Sequence, residues 1–537
     1  MPPVAMDTVT AMATGMNTAM AATMLTSRER LIQRGVGRGH ELVAAGLLLI
    51  SPLGWAQEAP AGPAQGSQLR ARLNLSQTVT DNLELSSGNK DAALITVVSP
   101  GVTWSSRSGG LRGSVDYSLD GIAYTKTERG SRLQNALNAN LSAELIDRRL
   151  FVDVRATVGQ QSQSAFGPQT TTPELNAVNS REVGTLSTSP YLVGQLGGWA
   201  SYELRGNFSR TETRGSSLGD NRSAGGSARL SSAGAGPLSA WLLLSTQRSA
   251  SPEARSTQND SLSVGLGYRP DTDVQLGVNL GRERNDYLTG AQAANGVTVG
   301  VSANWTPSPR TSLNGSWQRH DYGNSHSLGF EHRMARSVWR YSDSRSLNLG
   351  NVGTNGGVRT NYDQYYLLFA SLEPDPVKRD ALVRAYLQQL GISPDAPIAN
   401  GFLSAGPTRL TSQQLAVTLQ EQRGSLTALV GRTVTGRVGD NAGVGDLASS
   451  AQIEQRSYSL TAAYQLTPLT SLSLSAARQE TDGDGAAQST QLTSYSLNLS
   501  TRFGQRLSGQ LGGRRSRSTG LQAYNENAVF ANLTQQF

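Results

Sequence analysis

The sequence predicts an all-β protein: a transmembrane up-and-down antiparallel β-barrel of about 22 strands, within a range of roughly 18–24. Three observations predict it. Apolar and polar residues alternate through almost all of the chain after residue 66, and a period of two marks strands because successive side chains leave a strand on opposite faces. The connections between alternating segments are short and long by turns, as turns at one barrel end and loops at the other require. The last segment alternates too, with Val529, Ala531, Leu533 and Phe537 on one parity and Phe530, Asn532, Thr534 and Gln536 on the other.

The first 56 residues read as an export signal. Arg28, Arg30, Arg34 and Arg38 form a basic region, residues 42–50 an apolar core too short to span a bilayer, and Gly54, Trp55 and Ala56 a cleavage region. Met24 is a plausible true start, which would leave 1–23 as a start-site artefact; a long basic region is the alternative. Residues 57–66 are a Pro/Gly linker. The barrel is then expected over 67–537.

Its first strand carries Leu69, Ala71, Leu73 and Leu75 against Arg70, Arg72, Asn74 and Ser76. Segments follow at 93–106, 111–119, 133–145 and 150–158. Pairs are expected at 181–194 with 199–212, 222–234 with 238–248, 259–269 with 273–285, 296–306 with 311–321, and 325–334 with 337–346. After an interruption come 412–421 with 425–436, 452–466 with 470–480, 490–503 with 505–516, and a closing strand at 522–537. The long connections fall at 80–91, 161–180, 211–221, 249–256, 286–295, 437–450 and 481–489. Even strand parity puts both termini on the periplasmic side of a bacterial outer membrane.

Composition agrees. Only 37% of residues are hydrophobic and the mean hydropathy is −0.35, which suits a barrel, where every second strand residue meets lipid and the rest are polar. A large soluble core would want more Ile, Val and Phe. Zero cysteines exclude a disulfide framework and thiolate metal sites. The formal net charge is +7, carried almost wholly by arginine, since Lys90, Lys126 and Lys378 are the only lysines. On an exported protein this suits lipopolysaccharide or an anionic solute better than nucleic acid; biased codon usage explains it equally well.

Residues 347–411 break the rhythm. Asp375 can cap a helix with Pro376 at its first position. Val377, Ala381, Val383, Tyr386, Leu387 and Leu390 fit a helical stripe before Gly391. Two short helices are expected at the extracellular end, either as a lid or constriction in the mouth or as a loop packed on itself. Tyr362, Tyr365, Tyr366, Phe369 and Tyr386 are its aromatic cluster. They suit stacking on sugar faces, and suit better a small core of the insert.

Several segments resemble a known family. They are 95–102, 111–119, Leu133 to Leu137, Leu150 to Asp153, Ser189 to Leu192, and the insert run Pro374, Arg379, Val383, Leu387 and Gly391. Together they resemble the outer-membrane barrel family associated with PEP-CTERM/exosortase protein sorting and its exopolysaccharide loci. The resemblance implies a role at the Gram-negative outer membrane in exopolysaccharide production or export. Its motifs are structural and carry no functional residues with them. The closing segment likewise resembles the signal strand read by the barrel-assembly machinery, with Phe537 as its terminal aromatic.

Motifs for chemistry are sparse. His320, His326 and His332 straddle one hairpin, too widely spaced for neighbouring metal ligands. Ser325, His326, Ser327 and Asp321 supply hydrolase residue types without a placed nucleophile and orienter. The run 482–485 lacks the ligand spacing of a calcium loop. No phosphate-binding glycine loop is found. Neither cofactor nor metal is expected, nor an enzyme.

The lumen remains. The parity opposite the lipid face selects Arg70, Arg72, Arg112, Asp116, Asp153, Arg155, Glu203, Arg205, Glu331 and Arg333. Charge on facing walls sets solute selectivity in pores; mutual pairing that braces the wall is the plainer account for most of them. A barrel this wide needs narrowing, and with no plug domain read before residue 67 the insert or folded-in loops are expected to supply it. The expectation is a monomeric porin-like channel or secretion component, with polysaccharide as a possible cargo. A closed-lumen scaffold or receptor for exopolysaccharide or exported proteins is the alternative, and a barrel hydrolase a remote one.

Overall fold

The structure, a computed structural model, describes the chain from residue 66 onward, apart from short stretches inside several loops and most of 350–400. The export signal, the start site, nearly all of the linker and the Asp375, Pro376 and Gly391 helix signals lie outside the described residues.

Twenty-two antiparallel strands form one sheet. In chain order they are β1 (Gln68–Thr80), β2 (Ala93–Ser106), β3 (Leu111–Thr125), β4 (Arg132–Ile146), β5 (Leu150–Ser162), β6 (Ser180–Leu196), β7 (Ala200–Thr213) and β8 (Asn221–Ser232). Then come β9 (Leu238–Ser251), β10 (Ala254–Asp271), β11 (Val274–Asn285), β12 (Ala294–Ser308), β13 (Thr311–His320), β14 (Gly323–Arg333) and β15 (Ser337–Asn348). The last are β16 (Thr408–Gln420), β17 (Gly424–Arg437), β18 (Gln452–Thr467), β19 (Thr470–Asp482), β20 (Ser489–Arg502), β21 (Leu507–Gly520) and β22 (Tyr524–Gln536). Each pairs with its chain neighbour, and β1 pairs with β22 from Arg72 opposite Gln536 to Thr80 opposite Ala528. The sheet therefore closes, leaving no edge with unpaired backbone groups. A proline inside a strand can shift the ladder by one residue, as between Tyr268 opposite Leu276 and Asp271 opposite Val274, which brackets Pro270.

Both ends of the seam are secured. At one end the Phe537 amide donates to the Ala71 carbonyl (2.9 Å). At the other, Asp81 accepts from the Asn527 backbone amide (2.7 Å) and side-chain amide (2.8 Å).

The alternation sorts the side chains. On β10, β11 and β12, Leu262, Val264, Leu266, Leu276, Val278, Leu280, Val297, Val299 and Val301 are all exposed. Register makes them contiguous: Val264 lies opposite Leu280, and Leu280 opposite Val299. An apolar surface of this extent wants lipid rather than water. Exposed Tyr268, Trp305, Trp339, Tyr464 and Phe503 mark its border toward the short turns; Phe208, Trp317, Tyr458 and Tyr495 mark the other, as aromatic girdles do at both membrane interfaces.

One end carries tight connections such as 147–149, 272–273, 309–310 and 468–469. The opposite end carries 81–92, 163–179, 214–220, 349–407 and 438–451. Two connections at the long-loop end depart from expectation. β9 and β10 continue to 252–253, so the expected loop at 249–256 is mostly strand, and β13 meets β14 across 321–322.

The loops fold inward and bury apolar residues on the inner wall. Leu83 and Leu85 from 81–92 and Leu175 from 163–179 pack with Ile95, Ile122, Leu492 and Tyr524. A one-turn helix, α1 (Asp446–Ser449), which the alternation gave no sign of, joins the loops together. Its Leu447 packs with Phe166, Phe402 and Ile453. Its Asp446 accepts from the Ala165 amide (2.5 Å) and the Ser164 hydroxyl (2.9 Å).

Candidate functional site

Within the 349–407 connection, Phe402 and Leu403 stay among the long loops, while the described residues between Tyr362 and Leu387 lie inside the lumen. Tyr362, Tyr365, Tyr366, Arg379, Asp380, Val383, Arg384, Tyr386 and Leu387 have helical backbone. Tyr362, Tyr365, Val383 and Leu387 pack together against Ala463 of β18, with Tyr366, Phe369 and Tyr386 alongside. The aromatic cluster forms a core shared with the wall. Phe369 and Tyr386 meet edge to face at 5.0 Å. Ala463 sits near the 468–469 turn. The Tyr386 hydroxyl lies 3.2 Å from Thr427 of β17, which is beside the 421–423 turn. The described part of the segment therefore lies close to the short-turn end.

The reason is physical. These residues lack the two-residue period that would let them meet lipid on one side, so they bury against one another and a small wall residue. Their polar edges are then satisfied partly within the segment and partly by the wall. The Tyr362 hydroxyl donates to Asp380 (2.5 Å), and Arg384 donates to the same carboxylate (3.0 Å) while its guanidinium lies over the Tyr362 ring at 4.7 Å. Arg384 also reaches Asp116 on β3 (3.3 Å).

Asp116 anchors a charge cluster that joins the segment to the wall. Arg72 of β1 grips it through both nitrogens (2.5 and 2.8 Å), and the Thr103 hydroxyl donates to it (2.6 Å). Of the other selected residues, Arg205 stands 2.8 Å from Glu203 and 3.3 Å from Asp153, with its guanidinium over Tyr191 at 3.9 Å. Glu331 pairs with Arg333 (2.8 Å) and with Arg340 of β15 (3.1 Å). Arg155 donates to Asn140 (2.8 Å) and Arg70 to Gln68 (3.0 Å). Arg112 shares the parity of Asp116 and is exposed. The ten are thus brought into separate groups, three of them ion-paired clusters. All three clusters lie nearer the short turns.

Sequence reasoning missed Asp380 and Arg384, whose four-residue spacing fits a helical ion pair. It also missed a polar relay at the long-loop end. His320 Nδ1 lies 2.9 Å from Glu283 Oε2, and His320 Nε2 lies 3.1 Å from the Ser325 hydroxyl. Glu283 also accepts from the Asp321 amide (2.9 Å) and is 3% exposed. His326 is elsewhere: it shares the outward parity of Leu328 and Phe330 and pairs with Asp343 (3.1 Å).

No protein-family model matches the chain, and no curated protein matches it. Solved structures do. The FrpB iron transporter from Neisseria meningitidis (F5-1 variant) matches at 10% identity and TM-score 0.46, over 89% of this chain and 83% of that one. The siderophore receptor PirA from Pseudomonas aeruginosa matches at 10% identity and TM-score 0.41, over 88% and 80%. OccAB4 from Acinetobacter baumannii matches at 10% identity and TM-score 0.31, over 89% and 100%. The family named on the sequence motifs has no support from these comparisons.

Proposed function

We propose that this chain is a bacterial outer-membrane channel whose lumen is gated from within by the 362–387 segment. The observation that carries the reading is the docking of that segment through polar contacts, Arg384 to Asp116 and Tyr386 to Thr427, against a wall otherwise lined by hydroxyls, amides and paired charges. The segment meets the wall at few points, the Asp116 carboxylate, Thr427 and the small side chain of Ala463, while its large apolar side chains pack chiefly on one another. A segment held this way is suited to move. The periplasmic placing of the short turns and both termini belongs to the same reading. So does polysaccharide as cargo, which rests on the sequence resemblance and on the charged lumen.

Planar-bilayer recording of the purified protein, with and without residues 362–387, tests it. The intact barrel should conduct little or flicker, and the deletion should conduct steadily. Silence from both would leave the closed scaffold or receptor. Exopolysaccharide secretion unchanged in a deletion strain, without periplasmic accumulation, would remove polysaccharide as the cargo.

The Ser325–His320–Glu283 relay favours a second reading, an acyl-ester hydrolase in the lumen. Nucleophile, base and orienter stand within hydrogen-bond reach in the right order. The Ser325 oxygen would attack an ester carbonyl as His320 takes its proton and passes it to the leaving alcohol. Water would then release the acid from the acyl-serine. A fluorophosphonate probe should label the folded barrel and fail on Ser325→Ala; absence of labelling on the native protein discards this reading.

A further inference from the structure

From the outer wall we infer a binding site for a phosphorylated, acylated lipid of the leaflet on the long-loop side, a lipid of the lipopolysaccharide type. The wall is graded in height. Phe208, Trp317 and Tyr458 are exposed at the upper border of the apolar band. On the same outward face, two residues nearer the long loops, stand Arg210, Arg319 and Arg456. Aromatic rings followed by arginines mark the depth at which acyl chains give way to headgroups. Arginine suits phosphate there, because its planar fork donates two parallel hydrogen bonds to a pair of oxygens.

Two cross-strand pairs sharpen the case. Arg210 lies directly opposite Arg222, and Arg432 directly opposite Arg456. Like charges in that relation destabilise a sheet. Glu212 and Glu454 offset part of this, each contacting an arginine of its pair, and an added anion would offset the rest.

The built site lies on β8 to β12, where an open depression of about 610 Å³ is sunk into the outer face. Its lower part is Ala228, Leu244 and Leu262, continuous with the apolar band. Arg282, Arg284 and Asp260 stand at its rim toward the long loops, and its surface is almost wholly apolar. Register stacks them: Arg282 is opposite Leu262, and Arg284 opposite Asp260. Asp260 accepts from Thr246 (2.6 Å) and Gln258 (2.8 Å) and makes no ion pair with the Arg284 opposite it. Among the described residues no carboxylate ion-pairs with Arg282 or Arg284, and both are exposed. An acyl chain along Leu244 and Leu262 places its headgroup phosphate between the two guanidinium groups. A free phosphate makes no use of the apolar floor, which is why the lipid is the better occupant.

The test uses the full-length barrel in detergent, with diphosphorylated lipid A as the probe and native mass spectrometry as the readout. The wild type should retain lipid A, and Arg282→Gln/Arg284→Gln should lose at least about tenfold in affinity. Arg269→Gln, near the short turns, should change nothing. Each variant is first shown to keep the slower unheated gel mobility of a closed barrel. Three results would overturn the inference: unchanged binding by the double variant, equal binding of dephosphorylated lipid A, or displacement of lipid A by inorganic phosphate beyond what sodium chloride causes at equal ionic strength.

Discussion

Arg384, in the segment inside the lumen, stands 3.3 Å from Asp116 of β3, whose carboxylate Arg72 of β1 already holds in a two-pronged grip. One buried carboxylate thus serves two arginines, one fixed in the wall and one on a part suited to move. Asp116→Asn should leave Arg72 without this anion and Arg384 with Asp380 alone. The expected cost is roughly 1–3 kcal/mol, below the range of fully buried pairs because the lumen admits water. Single-channel recordings should show longer open times and weaker dependence on salt than the wild type. An unchanged open probability would mean that Asp116 only braces the wall.

Leu387 is 1% exposed at the centre of the inward-folded cluster. Leu387→Ala should weaken docking of the segment by about 2–5 kcal/mol, the usual loss for a buried leucine. Trypsin should then cut at Arg379 faster, while the barrel keeps its resistance to unheated detergent. Equal cutting of both proteins would show that the cluster does not hold the segment in place.

The loop end should respond to acid in two opposite ways. Burial raises the Asp81 carboxyl, but hydrogen bonds from the Asn527 backbone and side chain and from Lys90 outweigh it and hold the group below its ordinary 3.8. Its contribution to the seam is full above 3.8 and lost as pH falls through that depressed value. Burial raises Asp446 above its ordinary value despite the bonds from Ala165 and Ser164. The two bonds favour the ionised form but burial outweighs them, so the group's net contribution to the folded loop is full below 3.8 and is lost as pH rises through the raised value. Near about pH 3, hydrogen exchange corrected for its intrinsic pH dependence should speed up at the Asn527 amide and slow at the Ala165 amide. A shift of both amides in the same direction would contradict the two assignments.

Phe537 is 66% exposed, and only its backbone amide bonds the wall, at Ala71. Phe537→Ala should therefore leave refolding from urea into detergent unchanged. The same variant should lower the amount assembled in cells, because the exposed ring is what the assembly machinery would read. Equal loss in both settings would make the residue structural instead.

The wall was readable because a strand in lipid repeats itself. Leu69 to Leu75 and Leu262 to Leu266 each show the period directly, and the short turns carry their own Pro, Gly and Asp residues. Parity then put Arg72, Asp116, Glu203 and Arg205 on the same side as one another. It did not say which partner each would meet, since the Arg205 bridge to Asp153 depends on which strand faces which at one height. The placing of the insert was unreadable for a related reason. Val383 and Leu387 announce a helical stripe, but a stripe does not reveal whether its cover is its own loop or Ala463 on the wall. The relay of Glu283, His320 and Ser325 draws on β11, β13 and β14, and only the register between these neighbouring strands brings the three to one height.

Because β1 is the partner of β22, the two strands that finish the ring are the farthest apart in synthesis. Until the final strand arrives the sheet is an open ribbon with two hungry margins, each able to join another chain. No shortened version of the polypeptide can rehearse this step. The cell must shelter a nearly complete intermediate, and the hazard ends in a single event of zippering along Arg72 to Thr80.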